Sequence, residues 1–165
     1  MSVPDEHGYA ITLPAGTTFT DGYEILKLAG DEPAVIEDVT IAGDDGLELV
    51  GALLAPPPRL NAAVQLMRSW PPRDEALDED SFVEAVGARI EPLSRAPMGY
   101  ELLLGLRVAD EGYLVRESVT VTYRVGETVY EVDFPASIAV CTDAGLEIRG
   151  RCPFPQDAPS GYGDS

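Results

Sequence analysis

The clearest regularity in the chain is an alternation of apolar and polar residues between Tyr113 and Phe134. Val115, Val119, Val121, Tyr123 and Val125 alternate with Arg116, Ser118, Thr120, Thr122 and Arg124. Because neighbouring side chains of a strand point to opposite faces, the first set is predicted to face a core and the second to face water. Gly126 and Glu127 supply a turn, and Thr128–Phe134 then returns as the second arm of a β-hairpin.

Other short β-favouring segments precede and follow this hairpin. Tyr100–Ala109 is apolar on nearly both faces, which is typical of a central strand. A short helical turn is predicted near Leu77–Val86. The remaining predicted strands are Tyr23–Leu28, Ala34–Ala42, Leu47–Leu54, Ala62–Trp70, Phe82–Ile90 and Ser137–Cys141. Short strands separated by glycine and aspartate turns predict an all-β fold, an immunoglobulin-like antiparallel sandwich of about seven to eight strands.

The length of the chain favours a single domain. It has 165 residues, of which 45% are hydrophobic, enough for one sizeable core. We expect the sandwich to occupy residues 20–152, preceded by a flexible segment over residues 1–19. Residues 153–165, rich in proline and small residues, are expected to be a disordered tail.

The charge balance limits the classes of partner. There are 29 acidic and 11 basic residues, for a formal net charge of −18. Such a surface repels phosphate backbones, so nucleic acid is not expected as a partner. It would attract a basic protein or divalent cations, although an acidic proteome gives the same charge for reasons of solubility alone. No apolar run has the length of a membrane span, and a removed N-terminal anchor remains an alternative.

Residues with catalytic potential are few. His7 is the only histidine, which leaves serine or cysteine nucleophiles without a well-placed base, so we predict no enzymatic activity and no cofactor. The acidic residues of two loops are the alternative, a small-ligand or calcium site that would involve Asp44, Asp45, Asp78 and Asp80. Adjacent acids in turns are more often simply solvated.

Trp70 is the candidate for a partner-binding residue. It is the only tryptophan, it precedes two prolines, and Met67 and Arg68 lie close to it in the sequence. Aromatic, methionine and arginine side chains are enriched in the cores of protein interfaces. The alternative is that Trp70 folds back and covers one end of the sandwich.

The two cysteines, Cys141 and Cys152, are close enough in the sequence to form one disulfide around a short loop. Two free thiols are the alternative. A disulfide would imply an oxidising compartment and would stabilise the fold by roughly 2 to 3 kcal/mol.

Several segments together resemble a known group of proteins. They are Asp21–Leu28, Gly30–Ile36, Gly99–Leu106 and Val119–Tyr123, within a span of roughly Thr20 to Cys141. They are similar to small, functionally uncharacterised proteins of high-GC Gram-positive bacteria, which are secreted or membrane-tethered and carry an immunoglobulin-like outer domain. The resemblance implies an extracytoplasmic location, with a cytoplasmic one as the alternative. No function comes with the resemblance. A β scaffold with a predicted disulfide, long connectors and no catalytic groups leads us to expect a non-enzymatic interaction or structural module whose partner is a basic or envelope-associated protein.

Overall fold

Eleven strands are present in the computed structural model, which describes residues 1, 7–55, 66–73 and 81–158. They are β1 (His7–Thr12), β2 (Thr18–Leu26), β3 (Ala34–Gly43), β4 (Leu47–Ala55), β5 (Leu66–Met67), β6 (Val83–Glu84), β7 (Arg89–Ile90), β8 (Tyr100–Val108), β9 (Tyr113–Val125), β10 (Thr128–Phe134) and β11 (Ala136–Cys141). Two 3₁₀ turns, Ala144–Leu146 and Pro155–Asp157, follow β11.

The strands form two sheets that pack face to face. Sheet I has the order β1-β11-β9-β3-β7, with β10 beside the C-terminal half of β9, and sheet II has the order β5-β2-β8-β4-β6. Neighbouring strands are antiparallel except for β1 and β11, which are parallel. The groups β2-β8-β4 and β11-β9-β3 follow the strand order of an immunoglobulin-like sandwich, so the predicted fold class is confirmed. The strand count exceeds the prediction partly because β5, β6 and β7 have only two residues each.

The core lies between the two sheets and is centred on β8 and β9. Leu102, Leu104 and Leu106 of β8 are fully buried, and they lie in one cluster with Val119 and Val121 of β9. These residues were predicted as core from the alternation of the two strands. Arg107 is the one exposed residue of β8, which explains why the strand appears apolar on both faces in the sequence.

The alternation predicted for β9 is wrong in the first part of the strand. Ala42 pairs with Ser118 and Gly43 pairs with Arg116, so Glu117 is an extra residue in β9. A bulge of this kind reverses which face the residues before it point to. Arg116 is therefore buried on the core side, whereas Val115 packs on the outer face of sheet I with the disulfide.

The sheet begins earlier in the chain than the sequence predicts. Residues 7–12, expected to be flexible, form β1 because they pair in parallel with β11, from His7 opposite Ala136 to Thr12 opposite Cys141. At the other end Pro153 is buried, and a 3₁₀ turn follows it, within the segment expected to be a disordered tail. Residues 159–165 of that tail lie outside the described residues.

Two weaker strand predictions are only partly matched. Of Ala62–Trp70, the described residues begin at Leu66, and only Leu66 and Met67 are in a strand. Phe82–Ile90 contains β6 and β7, which belong to different sheets. Residues 77–80 of the predicted helical turn at Leu77–Val86 lie outside the described residues, and the rest of that prediction is wrong because Val83–Glu84 forms β6 beside β4.

Candidate interaction surface

Trp70 lies across the outer face of sheet II. A Cβ atom added to Gly105 would lie 2.4 Å from two atoms of the indole, and one added to Gly51 would lie 2.9 Å from it. These glycines are directly opposite one another on β8 and β4, so they provide a flat floor for the ring. Trp70 packs in one cluster with Met67, and the hydroxyl of Thr20 donates a hydrogen bond to the carbonyl of Ser69.

This placement differs from the alternative considered for Trp70, in which the residue covers one end of the sandwich. The ring is half-buried and covers a sheet face instead of the end of the sandwich. Met67 shares that cluster, whereas the side chain of Arg68 is exposed. The function of Trp70, Met67 and Arg68 in partner binding stays a prediction. The contacts of Trp70 and Met67 attach this segment to sheet II.

Of the four candidate metal ligands, only Asp44 and Asp45 lie within the described residues. Asp44 accepts a hydrogen bond through Oδ2 from the backbone nitrogen of Val115 at 2.6 Å, and its own backbone nitrogen donates to the Val115 carbonyl. Its carboxylate is thus engaged at the β3–β9 edge, while Asp45 is exposed. Asp78 and Asp80 lie outside the described residues. Within the described part of the chain, no three histidine, cysteine or acidic side chains form a group that could hold a metal ion.

Cys141 and Cys152 form a disulfide, as predicted, with their Cα atoms 5.6 Å apart. The bond attaches the segment after β11 to the outer face of sheet I, where Tyr113 and Ala139 pack against it. The hydroxyl of Tyr113 donates to the Pro153 carbonyl at 2.9 Å. The C-terminal segment therefore covers the outer face where β1, β11 and the start of β9 meet.

A buried charge cluster connects the two sheets, and the sequence analysis did not identify it. Arg116 of sheet I donates through Nη1 to Asp21 and through Nη2 to Glu24 at 3.1 Å, both on β2 of sheet II. The same guanidinium donates to the carbonyl of Ala136 at 3.0 Å. The side chains of Arg116, Asp21 and Glu24 are at most 1% exposed.

Two bulges place these three residues on the inner faces. In β2 the pairing passes from Asp21 opposite Leu104 to Glu24 opposite Leu102, so β2 contains one extra residue. Without it, Asp21 and Glu24 would point to opposite faces of the strand. The extra residue Glu117 does the same for Arg116 in β9.

Tyr9 of β1 extends the cluster toward the edge of the sandwich. Its hydroxyl donates to Oδ1 of Asp21 at 3.3 Å, and its ring packs on Tyr23 with 4.8 Å between centroids. Burial, and next the negative charge of Asp21, raise the pKa of Tyr9 far above its usual value. Because the charged groups are shielded from solvent and paired with one another, the cluster is suited to joining the sheets.

Part of the outer face of sheet I is open. Here β3, β9 and β10 lie side by side, and their outward residues form three cross-strand rows, which we call the threonine face. The rows are Val35, Arg124 and Val129; Asp38, Thr122 and Glu131; and Thr40, Thr120 and Asp133. The members on β3 and β10 are exposed and those on β9 are half-buried.

No protein-family model matches this chain. A search of curated proteins likewise finds no similar sequence. The resemblance to secreted or tethered proteins of high-GC bacteria therefore stays an expectation from the sequence.

Hydrogen bonds between side chains of neighbouring strands lie at the two ends of the threonine face. Arg124 donates through Nε to Glu37, and it also contacts the Glu127 carbonyl in the hairpin turn. At the opposite end the Thr120 hydroxyl donates to Asp133. Between these contacts, Thr122 pairs with Asp38 and Glu131 on the neighbouring strands, and Oδ1 of Asp38 accepts a hydrogen bond from the backbone nitrogen of Val39 at 2.9 Å.

The described residues include no helix that is long and apolar enough to cross a membrane.

Proposed function

We propose that this chain is a non-enzymatic, extracytoplasmic module that binds another protein through the threonine face. The observation that carries the proposal is that the threonine face is open, whereas other parts of the outer surfaces of both sheets are covered. Met67 and Trp70 cover part of sheet II. The segment that Cys152 attaches to Cys141 covers the β1–β11 side of sheet I. The threonine face has exposed residues on both its outer strands.

The scaffold behind this face supports the proposal. Its three strands have a common inner side that is buried in the main core through Ile36, Val121 and Phe134. A rigid sheet that presents short polar side chains loses little conformational entropy on binding, which favours recognition by a preformed surface.

The disulfide supports the extracytoplasmic part of the proposal, because such bonds persist in oxidising compartments. The presence of the disulfide is tested on protein isolated from the cells that make the chain, by alkylation under denaturing conditions before and after reduction. We expect label on Cys141 and Cys152 only after reduction. Label on both cysteines without reduction would place the chain in a reducing compartment.

Binding is tested by site-specific photo-crosslinking in the cells that make the protein. A photo-reactive residue replaces Val129 of the threonine face or, as a matched control, Val50 of β4 in sheet II. The two valines are 47% and 45% exposed, so they differ in location and hardly in accessibility. We expect position 129 to give a discrete protein adduct, which decreases when chain without the photo-reactive residue is present in excess. We expect no adduct from position 50. No competed adduct from position 129 would refute the proposal.

A further inference from the structure

We infer that the threonine face binds a basic, extended segment of the partner protein, an inference that rests on the proposed function. The shape of the face is the first argument. Thr120 and Thr122 form a low floor on β9, and the longer acidic side chains Asp38, Glu131 and Asp133 stand on the strands at either side. Since adjacent strands are about 4.8 Å apart, the rims are roughly 10 Å apart, which leaves room for one extended chain along β9.

Charge determines the kind of segment that fits. Arg124 is the only basic residue among the nine of the threonine face, and it is already paired with Glu37. The carboxylates of Asp38, Glu131 and Asp133 have no basic neighbour in their own cross-strand rows. A lysine or arginine of the partner segment above Thr122 or Thr120 would lie next to an acidic residue on β3 or β10. Opposite charges in neighbouring strand positions attract.

The same carboxylates argue against a second copy of this chain as the occupant. Placing two threonine faces together would bring six rim carboxylates, three from each copy, against one another, and like charges in such positions are destabilising. A basic partner segment removes this repulsion, and the formal net charge of −18 would speed its approach.

The third row determines the order of residue types along the segment. Val35 and Val129 are exposed on either side of Arg124. Their row is two residues from that of Thr122 along β9 and β10, and three along β3, where Glu37 is an extra residue. Rows two residues apart match alternate side chains of an extended segment. In the direction from Thr120 to Arg124, the expected order is therefore a basic residue, any residue, a second basic residue, any residue and then an apolar residue.

The test uses a synthetic peptide that contains Lys-Thr-Lys-Thr-Val and a second peptide of the same composition in which the lysines are adjacent. Binding to the full chain is measured by fluorescence anisotropy at physiological salt, where weak surface attraction is screened. Amide chemical shifts in ¹⁵N NMR spectra locate the peptide. We expect shifts confined to β3, β9 and β10, and weaker binding of the peptide with adjacent lysines.

Two variants separate the face from the overall charge. Glu131→Lys with Asp133→Lys is expected to weaken binding at least about tenfold, because two attractive contacts become repulsive. Asp110→Lys with Glu111→Lys changes the net charge equally in the turn before β9, at the other end of that strand, and should change affinity less than about twofold.

A third variant keeps the charge and changes the shape. Thr120→Tyr with Thr122→Tyr fills the floor with residues that favour strands, so the fold should persist while peptide binding is lost. Circular dichroism and the thermal midpoint check the fold. Equal weakening by both charge variants, shifts spread over all acidic loops, or no binding of either peptide would overturn the inference. The crosslink from position 129 would then still support the proposed function.

Discussion

At the scale of single residues, Arg116 is the largest fully buried side chain among the described residues. It is one basic group between two buried acidic ones, and it also supplies hydrogen bonds to the Ala136 carbonyl, where β10 ends and β11 begins. No buried side-chain polar atom of the described residues lacks a hydrogen-bond partner. Buried ion pairs of this kind are costly to break, because the remaining charge has no solvent to stabilise it.

Arg116→Met is therefore expected to reduce the free energy of unfolding by about 3 to 5 kcal/mol, measured by urea denaturation. Combining it with Asp21→Asn and Glu24→Gln should recover part of that loss, since the uncompensated carboxylates are then removed. Arg95→Met is the control, because Arg95 forms an exposed pair with Glu91 and should cost less than about 1 kcal/mol. A loss below about 1 kcal/mol for Arg116→Met would mean that the cluster is solvated.

At the scale of elements, irregular strands explain what the sequence analysis missed. Regular alternation correctly predicted the β9–β10 hairpin and the inward faces of β8 and the C-terminal half of β9. It failed at Arg116, because a bulge adds one residue and its position in the strand has no distinct composition. For the bulge in β2 one signal was available in the sequence: the large apolar residues Phe19 and Leu26 are seven positions apart, a spacing that regular alternation would place on opposite faces, and both are buried.

The fit between Trp70 and its glycine floor can be tested within one element. Gly105→Ala should displace the indole and reduce the free energy of unfolding by about 1 to 3 kcal/mol, because the new methyl group overlaps the ring. Gly51→Ala, with a longer approach of 2.9 Å, should reduce it less. Indole fluorescence should shift to longer wavelength in Gly105→Ala.

A double-mutant cycle provides the control for this prediction. In a Trp70→Ala background the added methyl group of Gly105→Ala has no ring to displace, so its cost should fall. An unchanged cost would show that strand geometry, and not contact with Trp70, accounts for the glycine.

At the scale of the whole molecule, the sandwich and its disulfide were predictable from the sequence, whereas the candidate surface was not. Alternation and turn residues indicate two-layer packing, and two cysteines near the end of the last strand indicate a bond. The threonine face depends on which strands become neighbours and which outer surfaces the connectors cover. Those are long-range properties that local patterns do not contain. Trp70, selected by residue type, proved to pack mainly against its own sheet.

The stability of the whole molecule should decline at alkaline pH, and Tyr9 should contribute. In the unfolded chain a tyrosine ionises near pH 10. Burial and the Asp21 carboxylate raise the pKa of Tyr9 in the folded state, so the unfolded state loses its proton first. The stabilisation is thus complete below about pH 10 and is lost as the pH rises above it, at up to about 1.4 kcal/mol per pH unit.

Tyr9→Phe should give a shallower decline of the unfolding free energy between about pH 10 and 11.5, measured by urea denaturation at each pH. Between pH 7 and 9 the difference between variant and wild type should be constant, which separates ionisation from the lost hydrogen bond to Asp21. The pKa values of Tyr23 and Tyr123 are also raised mainly by burial. These two residues should account for the decline of the unfolding free energy with pH that remains in Tyr9→Phe. Parallel curves for the two proteins would exclude Tyr9 as a contributor.

The parallel pair β1–β11 also determines how the fold would respond to mechanical tension. Tension from the N-terminal side enters at His7, and tension from the C-terminal side passes through the disulfide from Cys152 to Cys141, at the far end of the pair. The two strands are then pulled in opposite directions along their length. Their backbone hydrogen bonds are loaded together in shear instead of opening one after another, and the covalent bond prevents the segment between the cysteines from extending.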